Sequence, residues 1–538
     1  MAIRGVQGMG SLRNIFVVVW VGMLAACAGL PPRDELPVTP QGLSPTTVDP
    51  ATTRLGRAVT PDLAAHPGQA GVYALSDASE AFAARVLLAG AADRTLDVQY
   101  YIWRGDYTGY LMFEALWQAA ERGVSVRLLL DDTNTAGLDD TLRALDAHPN
   151  IAVRLYNPMT MRSARLLNFV TDFSRLNHRM HNKSFTADNQ ATIVGGRNIG
   201  DEYFGASKSV GFEDLDVIAT GPAAKDVTVS FEEYWNSASA YPAASIIGSE
   251  DSRKALLERF AETRADEGAE QYLQSLRDTK LVRELLAQTL PLRWGETRLV
   301  VDDPAKTLGQ LNANEGRERL MLGRLMTAIT PPQKSFELIT PYFVPGKEGT
   351  ESLAALVRNK VRVRVLTNSL ASSDVTAVHA GYAEYRKALL QAGVELYELK
   401  RHLPPLVAAE AGGAAPEDKP KRKTLGGSSS ASLHAKTFAM DGQRIFVGSF
   451  NFDQRSAWLN TEMGLVIDNA QLAGRLTDWF DKDLPARAYH VVLQDDGSLC
   501  WIEQTEKGEV RHDKEPGSGP MLRGWVKFLS ILPIEWML

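Results

Sequence analysis

A cluster of five polar and small residues occurs twice in the chain, and its residue types and spacing suit chemistry at phosphorus. Each copy holds a histidine, a lysine two positions later, an aspartate, a glycine and an asparagine, at the same offsets. One His-x-Lys pair would carry no information, whereas two copies in register predict a catalytic site made from both. The copies are His181, Lys183, Asp188, Gly195 and Asn198, and His434, Lys436, Asp441, Gly448 and Asn451.

Two such copies facing each other would form a pocket for a phosphodiester. One imidazole can attack phosphorus while the other protonates the leaving alkoxide, which gives a phosphohistidine intermediate. Lys183 and Lys436, together with the carboxamides of Asn198 and Asn451, can neutralise and orient the phosphate in the transition state. Because lysine charge supplies this stabilisation and the motif offers no carboxylate cage, we expect neither a metal ion nor a cofactor.

The alternation within His-x-Lys predicts a strand that places both side chains on one face. Asp188 and Asp441 then fall in the turn that follows each strand. We count both aspartates with the catalytic set because they belong to the repeated motif, although bracing the turn by hydrogen bonds is the role that we expect for them.

Each histidine needs a carboxylate on its second ring nitrogen, which fixes the tautomer. Asp214 lies 33 residues after His181, and Glu462 lies 28 residues after His434, each just before a β-like run. We assign these two carboxylates to orienting the histidines, with Asp216 as the alternative in the first half.

The composition is that of a large globular protein with a mildly acidic balance. The chain has 538 residues, 44% of them hydrophobic, and a net charge of −7. This length suffices for two domains, and the charge argues against a protein that coats nucleic acid.

The first 26 residues have the pattern of an export signal. Arg4 and Arg13 precede an apolar run at 15–24 that is too short to span a bilayer comfortably and is followed by Leu-Ala-Ala-Cys at 24–27. That ending resembles a bacterial lipobox, which implies lipid attachment to Cys27; an uncleaved anchor or a plain secretory signal is the alternative. We expect a lipid-anchored envelope protein that faces the periplasm; Ala28 is the one sign in favour of the outer membrane, and the choice between outer and inner membrane stays open. Cys500 is then alone, so no internal disulfide is expected.

Alternating strand and helix patterns predict two α/β lobes built by duplication. Strand patterns at 96–103, 125–130 and 151–156 recur at 336–342, 361–367 and 394–399. We predict two mixed-sheet lobes related by a pseudo-twofold axis, with one active site between them. The predicted units are a signal peptide (1–26), a proline-rich tether (27–70), a first lobe (71–244), a helical connector (245–295), a second lobe (296–485) and a C-terminal β piece with an apolar membrane-interface segment (486–538).

These motifs resemble those of the phospholipase D superfamily. Further segments resemble the bacterial cardiolipin synthases of the C subgroup: 99–103, 129–132, 171–177, 195–200 and 532–538. The resemblance implies the duplicated phospholipase D fold and a transphosphatidylase that passes a phosphatidyl group first to a histidine and then to phosphatidylglycerol, which gives cardiolipin. It also implies His181 as the nucleophile and His434 as the acid and base.

The same resemblance defines the expected partners. They are phospholipid substrates, namely phosphatidylglycerol and, as the donor associated with the C subgroup, phosphatidylethanolamine, together with a membrane; an accessory protein is left open. No nucleic acid is expected. The alternatives are a hydrolytic phospholipase D, which releases phosphatidic acid, and a phosphodiesterase nuclease, against which the acidic charge and the anchor both count.

Three segments could bring the site to a lipid surface, and each has an ordinary alternative. The apolar and basic stretch 159–180 either lies at the membrane or packs on the domain. The stretch 521–538 combines aromatic and basic residues as interfacial segments do, or it packs on the core. The lysine-rich run at 419–423 either attracts anionic head groups or is a solvated charge run.

Overall fold

A computed structural model describes residues 29–36, 47–207, 210–287, 289–311, 316–401 and 430–531. The predicted signal peptide with Cys27, the lysine-rich run at 419–423 and the segment 532–538 lie outside the described residues. Within them, no helix has both the length and the apolar character needed to cross a bilayer.

The first lobe is a mixed sheet covered by helices. Its strands are β1 (Ala70–Leu75), β2 (Thr95–Ile102), β3 (Ser125–Asn134), β4 (Ile151–Tyr156), β5 (Ser184–Ala187), β6 (Ala191–Gly195), β7 (Val210–Glu213), β8 (Asp216–Thr220) and β9 (Ala240–Pro242). Its helices are α1 (Arg54–Ala65), α2 (Ala78–Ala91), α3 (Tyr107–Glu121), α4 (Asp139–Asp146), α5 (Arg165–Thr171), α6 (Phe173–Leu176), α7 (Asp201–Phe204), α8 (Pro222–Trp235) and α9 (Ala244–Ile247). Strands β2, β3 and β4 run parallel. From β2 the sheet continues antiparallel through β5, β6, β8 and β1.

Local sequence explains where these elements begin and end. The middle of β3, at 126–132, is buried on both faces, as expected of a parallel strand between two helical layers. Asp106 caps α3 by accepting a hydrogen bond from the Gly109 amide at 3.0 Å. Gly123 follows that helix with a φ of 89°, a conformation that glycine adopts at little cost.

Three helices follow the first lobe where helical periodicity predicts a connector. They are α10 (Arg253–Ala265), α11 (Glu267–Arg277) and α12 (Lys280–Leu286). All three pack on the first lobe rather than between the lobes: Phe260 lies edge-on to Trp117, and Tyr272 lies edge-on to Phe82.

The second lobe repeats the topology of the first. Its strands are β10 (Arg293–Val301), β11 (Ser335–Ile339), β12 (Arg362–Asn368), β13 (Glu395–Leu399), β14 (Ser430–Leu433), β15 (Thr437–Met440), β16 (Arg444–Gly448), β17 (Met463–Asp468), β18 (Ala488–Leu493), β19 (Leu499–Thr505) and β20 (Gly508–His512). Its helices are α13 (Met321–Ala328), α14 (Gly346–Arg358), α15 (Thr376–Gln391), α16 (Gln454–Trp458), α17 (Ala470–Lys482), α18 (Leu484–Arg487) and α19 (Pro520–Leu529). Strands β11, β12 and β13 are parallel, and β15, β16, β17 and β10 continue antiparallel from β11.

The two sheets join edge to edge. Strands β1 and β10, which occupy equivalent places in the two lobes, pair antiparallel with Ala70 opposite Gly295. In the described part of the chain this produces one continuous sheet of eighteen strands, while β7 and β14 pair with each other in a separate two-stranded sheet. An apolar cluster shared by both lobes fills the interface and includes Val194, Val217, Val447 and Leu465. The predicted duplicated fold with a pseudo-twofold axis is therefore confirmed.

Two predicted boundaries differ from the structure. The stretch 54–65 forms helix α1 rather than an extended tether, and it is held to the lobe by Arg54, which pairs with Asp93, and by His66, whose ring stacks on Trp294 with centroids 4.2 Å apart. The C-terminal β piece belongs to the second sheet, because β18 pairs antiparallel with β13 and covers what would otherwise be an open edge.

Candidate active site

A parallel contact between the lobes forms the first half-site. Met180 makes a parallel bridge with Thr461, and the His181 amide donates to the Thr461 carbonyl at 2.9 Å. The next residues of the two paired segments, His181 and Glu462, therefore lie side by side, and His181 Nδ1 is 2.8 Å from Glu462 Oε2.

An equivalent contact forms the second half-site. Strands β14 and β7 pair in parallel, with Leu433 opposite Glu213, and the His434 amide donates to the Glu213 carbonyl at 2.8 Å. The residues that follow meet in the same way, and His434 Nδ1 lies 2.5 Å from Asp214 Oδ2.

Both histidines are therefore oriented by a carboxylate of the other lobe. Counted along the sequence, each carboxylate follows the histidine of its own half, but in the fold the partners are exchanged, over 281 residues for His181 and 220 for His434. The structure places both carboxylates assigned to this role on a histidine, each on that of the opposite lobe. Both histidines are buried, with 7% of each residue exposed.

Asp216, the alternative to Asp214, does not contact a histidine. Its carboxylate accepts hydrogen bonds from the Arg85 guanidinium at 2.9 Å and from the Arg197 amide at 3.1 Å. Arg197 also donates to the Asp214 carbonyl at 2.7 Å. Asp216 and Arg197 thus hold the backbone that presents Asp214.

The His-x-Lys segments are not themselves strands, which corrects the prediction made from their alternation. Strand β5 begins at Ser184 and β15 begins at Thr437, one residue after each lysine. The histidines instead lie on extended segments that pair with the opposite lobe. These pairings provide acceptors for the histidine backbone amides.

The two lysines are buried beside the histidines. Lys183 Nζ donates to the His181 carbonyl at 2.7 Å, and Lys436 Nζ donates to the His434 carbonyl. Both residues are 1% exposed. Burial lowers the pKa of Lys183 to about 7 and that of Lys436 to about 8, although nearby carboxylates oppose the shift. Two ammonium groups held this far from water are suited to an anionic substrate.

The two motif aspartates lie outside this cluster. The structure therefore corrects their inclusion in the catalytic set. Asp188 accepts hydrogen bonds from the backbone amides at 93–95, and Asp441 does the same for those at 333–335. Asp188 lies in the turn after β5 with a φ of 53°, and Asp441 lies in the turn after β15 with a φ of 55°. Each carboxylate therefore fixes the start of the adjacent parallel strand, which is the bracing role expected of it.

A glycine and a serine occupy the same place in the two half-sites. A Cβ on Gly196 would lie 2.1 Å from Asp214 Oδ1, so only glycine fits against that short acid. In the second copy Ser449 Oγ donates to Glu462 Oε2 at 2.5 Å, and Ser456 Oγ donates to Oε1 at 2.8 Å. The pairing of glycine with aspartate and of serine with glutamate keeps both acids packed.

The two asparagines proposed to bind phosphate are buried near the site but are not equivalent. Asn198 is fully buried, accepts a hydrogen bond from the Ile102 amide at 3.1 Å and lies beside the Tyr203 hydroxyl. Asn451 is 4% exposed, and its Oδ1 has no hydrogen-bond partner among the described residues. Within the described part of the chain, the unpartnered atom of Asn198 is Nδ2, a donor that suits a phosphate oxygen, whereas in Asn451 it is Oδ1, an acceptor.

The carboxylates behind the histidines differ in charge. Burial raises the pKa of Glu462 to about 7, even though the charge of Lys183 opposes it. Burial would also raise the pKa of Asp214, but the charge of His434 and its hydrogen bond outweigh burial and lower that pKa to about 2. The Asp214 carboxylate beside His434 is therefore fully ionised, and the Glu462 carboxylate beside His181 is only partly ionised near neutral pH.

The histidines respond to these surroundings in the same direction but unequally. Burial, followed by the positive charges of Lys183 and Lys436, holds the pKa of His181 well below its usual value. The pKa of His434 is lowered by burial and by Lys436, and Asp214 partly restores it. His181 is accordingly the neutral imidazole, and His434 is the one that more readily carries a proton.

Aromatic rings flank both histidines, and the sequence analysis missed them. The Tyr101 ring lies 4.9 Å from that of His181, while Tyr203 and Phe212 lie 5.2 and 5.1 Å from that of His434, measured between centroids. Tyr101 belongs to the segment 99–103 that carries the family resemblance, and this was the available signal. Tyr203 and Phe212 had none, because only the fold brings them to His434.

Comparison with known proteins gives a consistent family assignment. A family model described as "Cardiolipin synthase, PLD-like domain" matches residues 87–235 and 325–484. The chain is 46% identical to "Cardiolipin synthase C" of Escherichia coli K12, over 90% of this chain and all of that protein. It is 24% identical to "Cardiolipin synthase" of Oceanobacillus iheyensis, over 77% of this chain and 68% of that protein.

A solved structure gives independent support for the fold. The crystal structure of phosphatidylserine synthase from Haemophilus influenzae superposes with a TM-score of 0.53 and 14% identity, and covers 90% of this chain and all of that one. With the duplicated lobes and the paired motifs, these matches lead to one assignment: the chain belongs to the cardiolipin synthase family of the phospholipase D superfamily.

Proposed function

We propose that the protein is a phosphatidyltransferase that makes cardiolipin from phosphatidylglycerol and a second phospholipid through a phosphohistidine intermediate. The observation that carries this proposal is the exchanged pairing of His181 with Glu462 and His434 with Asp214 around two buried lysines. It supplies two oriented imidazoles and the positive charge that a phosphodiester needs. Membership of the cardiolipin synthase family supports the lipid substrate.

In the first step His181 acts as the nucleophile. Its Nδ1 faces Glu462, so Nε2 keeps the lone pair that attacks phosphorus. A P–N bond forms as the P–O bond to the leaving head group breaks, and protonated His434 gives its Nε2 proton to the departing oxygen. Lys183 and Lys436 stabilise the charge that develops on the phosphoryl oxygens.

In the second step the acceptor hydroxyl attacks phosphorus and the P–N bond formed in the first step breaks. Neutral His434 takes the proton from the hydroxyl of phosphatidylglycerol, whose oxygen attacks phosphorus as the P–N bond to His181 breaks. Cardiolipin leaves, and both histidines return to their starting protonation states. The Asp214 carboxylate assists both steps, because it stabilises His434 whenever His434 is an imidazolium.

The acceptor decides between transfer and hydrolysis. The rings of Tyr101, Tyr203 and Phe212 pack against the two histidines, and both histidines are buried. Apolar cover of this kind limits the access of water to the intermediate, which favours transfer to a lipid hydroxyl over hydrolysis.

Two exposed apolar surfaces support contact with a membrane. On α5, Leu166 and Val170 are each 82% exposed. On α19, Met521, Trp525 and Phe528 are exposed, whereas its opposite face packs on the second lobe. These surfaces suit the interfacial layer of a bilayer, and we infer that they lie on lipid while a lipid anchor on Cys27 retains the protein in the envelope, facing the periplasm.

Defined vesicles test the proposed activity. Purified protein is mixed with vesicles of phosphatidylglycerol and phosphatidylethanolamine, and the lipid products are separated. We expect cardiolipin to be the main product. Phosphatidic acid as the sole product would favour the hydrolytic phospholipase D, and salt-sensitive cleavage of DNA would favour a nuclease.

The anchor has its own test. Palmitate labelling of cells that express the chain should give a labelled mature protein, and globomycin should block its processing. Cys27→Ser should abolish the label. An unlabelled wild-type protein would contradict the lipid anchor without affecting the proposed activity.

A further inference from the structure

An acidic residue lies at the edge of this otherwise basic site. Asp374 is exposed, and its Oδ2 accepts a hydrogen bond from the Tyr342 hydroxyl at 2.8 Å. Tyr342 is partly buried; burial raises its pKa, and Asp374, Tyr203 and Tyr101 raise it further. Tyr342 and its acidic partner thus lie near Tyr101 and Tyr203, the rings that pack on the two histidines.

The loop that carries Asp374 is fixed to the second half-site. Asn368, at the end of β12, accepts a hydrogen bond from the Leu433 amide at 2.9 Å and donates one to the Leu433 carbonyl at 3.0 Å. Leu433 immediately precedes His434. The loop is closed by Ser372, which donates to Asn368 Oδ1 and to the Leu399 carbonyl. Asp374 therefore belongs to the His434 side of the site.

The electrostatics agree with this position. Burial lowers the pKa of Lys436, and the acids that oppose this shift are, in order, Asp214, Glu462, Asp374 and Asp453. Asp374 is thus near enough to interact with the lysine of the second motif, although it is exposed and the other three acids are buried.

The acids at the matching strand end of the first lobe are neutralised, although by strand register they correspond to Asn368 and Ser369 and not to Asp374. β3 corresponds to β12, and at its end Asp131 pairs with Arg179 at 2.6 Å while Asp132 pairs with Arg162. Among the described residues Asp374 forms no ion pair. An unneutralised acid beside a site for an anionic phosphodiester would weaken binding, unless part of the substrate carries a positive charge.

Building on the proposed function, we propose that Asp374, positioned by Tyr342, binds the ammonium group of an aminoalcohol head group as it leaves the donor phospholipid. His434 protonates the leaving oxygen, so the rest of the head group extends from the His434 side, where Asp374 lies. In ethanolamine the ammonium is only two carbons from that oxygen. Asp374 is then a specificity residue for the donor and takes no part in bond making.

Head-group release measures donor choice directly. Wild-type protein, Asp374→Asn and Asp374→Glu are each mixed with vesicles of equal phosphatidylethanolamine and phosphatidylglycerol, and free ethanolamine and free glycerol are quantified. We expect the ratio of ethanolamine to glycerol to fall up to about fivefold in Asp374→Asn, because one exposed charge pair is lost. Asp374→Glu should retain most of the preference. Tyr342→Phe should give an intermediate loss, because the carboxylate stays but is no longer held.

Two controls separate this effect from general damage. Asp495→Asn removes the same charge from an exposed turn between β18 and β19 and should leave the ratio unchanged. Hydrolysis of bis(p-nitrophenyl) phosphate, whose leaving group carries no ammonium, should be unchanged or faster in Asp374→Asn.

The outcomes distinguish this proposal from the proposed function. If wild-type protein makes cardiolipin but Asp374→Asn keeps the wild-type ratio, the role of Asp374 is overturned and the transferase activity stands. An equal fall in release of both head groups would also overturn it, since the residue would then serve both donors alike. Wild-type protein that releases no head group at all would overturn both proposals.

Discussion

His181 and His434 occupy equivalent places in two lobes of one topology, yet the residues behind them differ. Glu462, held by two serine hydroxyls, backs His181 and has a pKa raised by burial to about 7. Asp214, packed against Gly196, backs His434 and has a pKa lowered to about 2. The two half-sites therefore share their geometry, and their different carboxylates give the two histidines the different proton affinities that the proposed two-step transfer needs.

Replacement of either histidine should cause the largest loss of activity and should reveal most clearly how the two half-sites differ. With phospholipid vesicles, His181→Asn and His434→Asn should both lose steady-state transfer, because the first removes the nucleophile and the second removes the acid. A substrate with a p-nitrophenyl leaving group separates them, since that group departs without protonation. On it, His434→Asn should accumulate a covalent adduct at His181, and His181→Asn should form none. Mass spectrometry after rapid acid-free quenching detects the adduct, and an adduct at His434 would reverse the two assignments.

The lysines should be the next most sensitive positions. Lys183→Ala and Lys436→Ala should each cost about 3 kcal/mol or more of transition-state stabilisation, at least a hundredfold in kcat, because each removes a buried positive charge from the phosphoryl group. Steady-state kinetics with a soluble diester gives kcat without the complication of membrane binding. A loss below tenfold in both variants would contradict this role.

The carboxylates test the asymmetry itself. Asp214→Asn should reduce kcat with phospholipids by about 10- to 100-fold and should matter much less for the p-nitrophenyl substrate, because Asp214 supports the protonated form of His434. Glu462→Gln should affect both substrates to a similar extent, since orientation of the nucleophile is needed for either. The ratio of the two kcat values for each variant is the measurement. Equal ratios in the two variants would show that the half-sites are interchangeable.

The pH dependence should report the buried lysines. An amine is charged below its pKa, so the positive charge of the site is present at low pH and is lost as pH rises through about 7 to 8. We expect kcat/KM for a soluble diester to fall as pH rises above about 7, and kcat to fall at higher pH because a bound phosphate favours the charged lysines. A flat kcat/KM profile up to pH 9.5 would be inconsistent with two buried lysines of lowered pKa.

The motif aspartates should have the smallest effect on chemistry and a measurable one on stability. Asp188→Asn and Asp441→Asn each weaken a carboxylate that accepts several backbone hydrogen bonds, so we expect a loss of about 1 to 3 kcal/mol in the free energy of unfolding. Asp188 is fully buried and Asp441 is partly exposed, and the loss should therefore be larger for Asp188. Denaturant titration measures both, and kcat of the folded fraction should remain within a few-fold of wild type.

The sequence by itself determined the chemistry and much of the architecture. Two copies of one motif at equal offsets identify the histidines and lysines, and the β-like runs after them identify Asp214 and Glu462. The strands at 151–156 and 394–399 and the helix after β2 follow from apolar periodicity, which local sequence controls. The stretch 54–65 has a local helix signal in Thr53, which caps the helix by accepting from the Gly56 amide, and the folded lobe adds Asp93 and Trp294 as partners that hold the helix in place.

Only the tertiary structure decided which carboxylate serves which histidine. Each half contains one histidine and one acid at a similar separation, so spacing along the chain favours partners within a half. The parallel pairing of Met180 with Thr461, and of β14 with β7, instead joins segments from opposite lobes and sets their register. Such contacts depend on how the two lobes pack against each other, and this packing cannot be inferred from local sequence patterns.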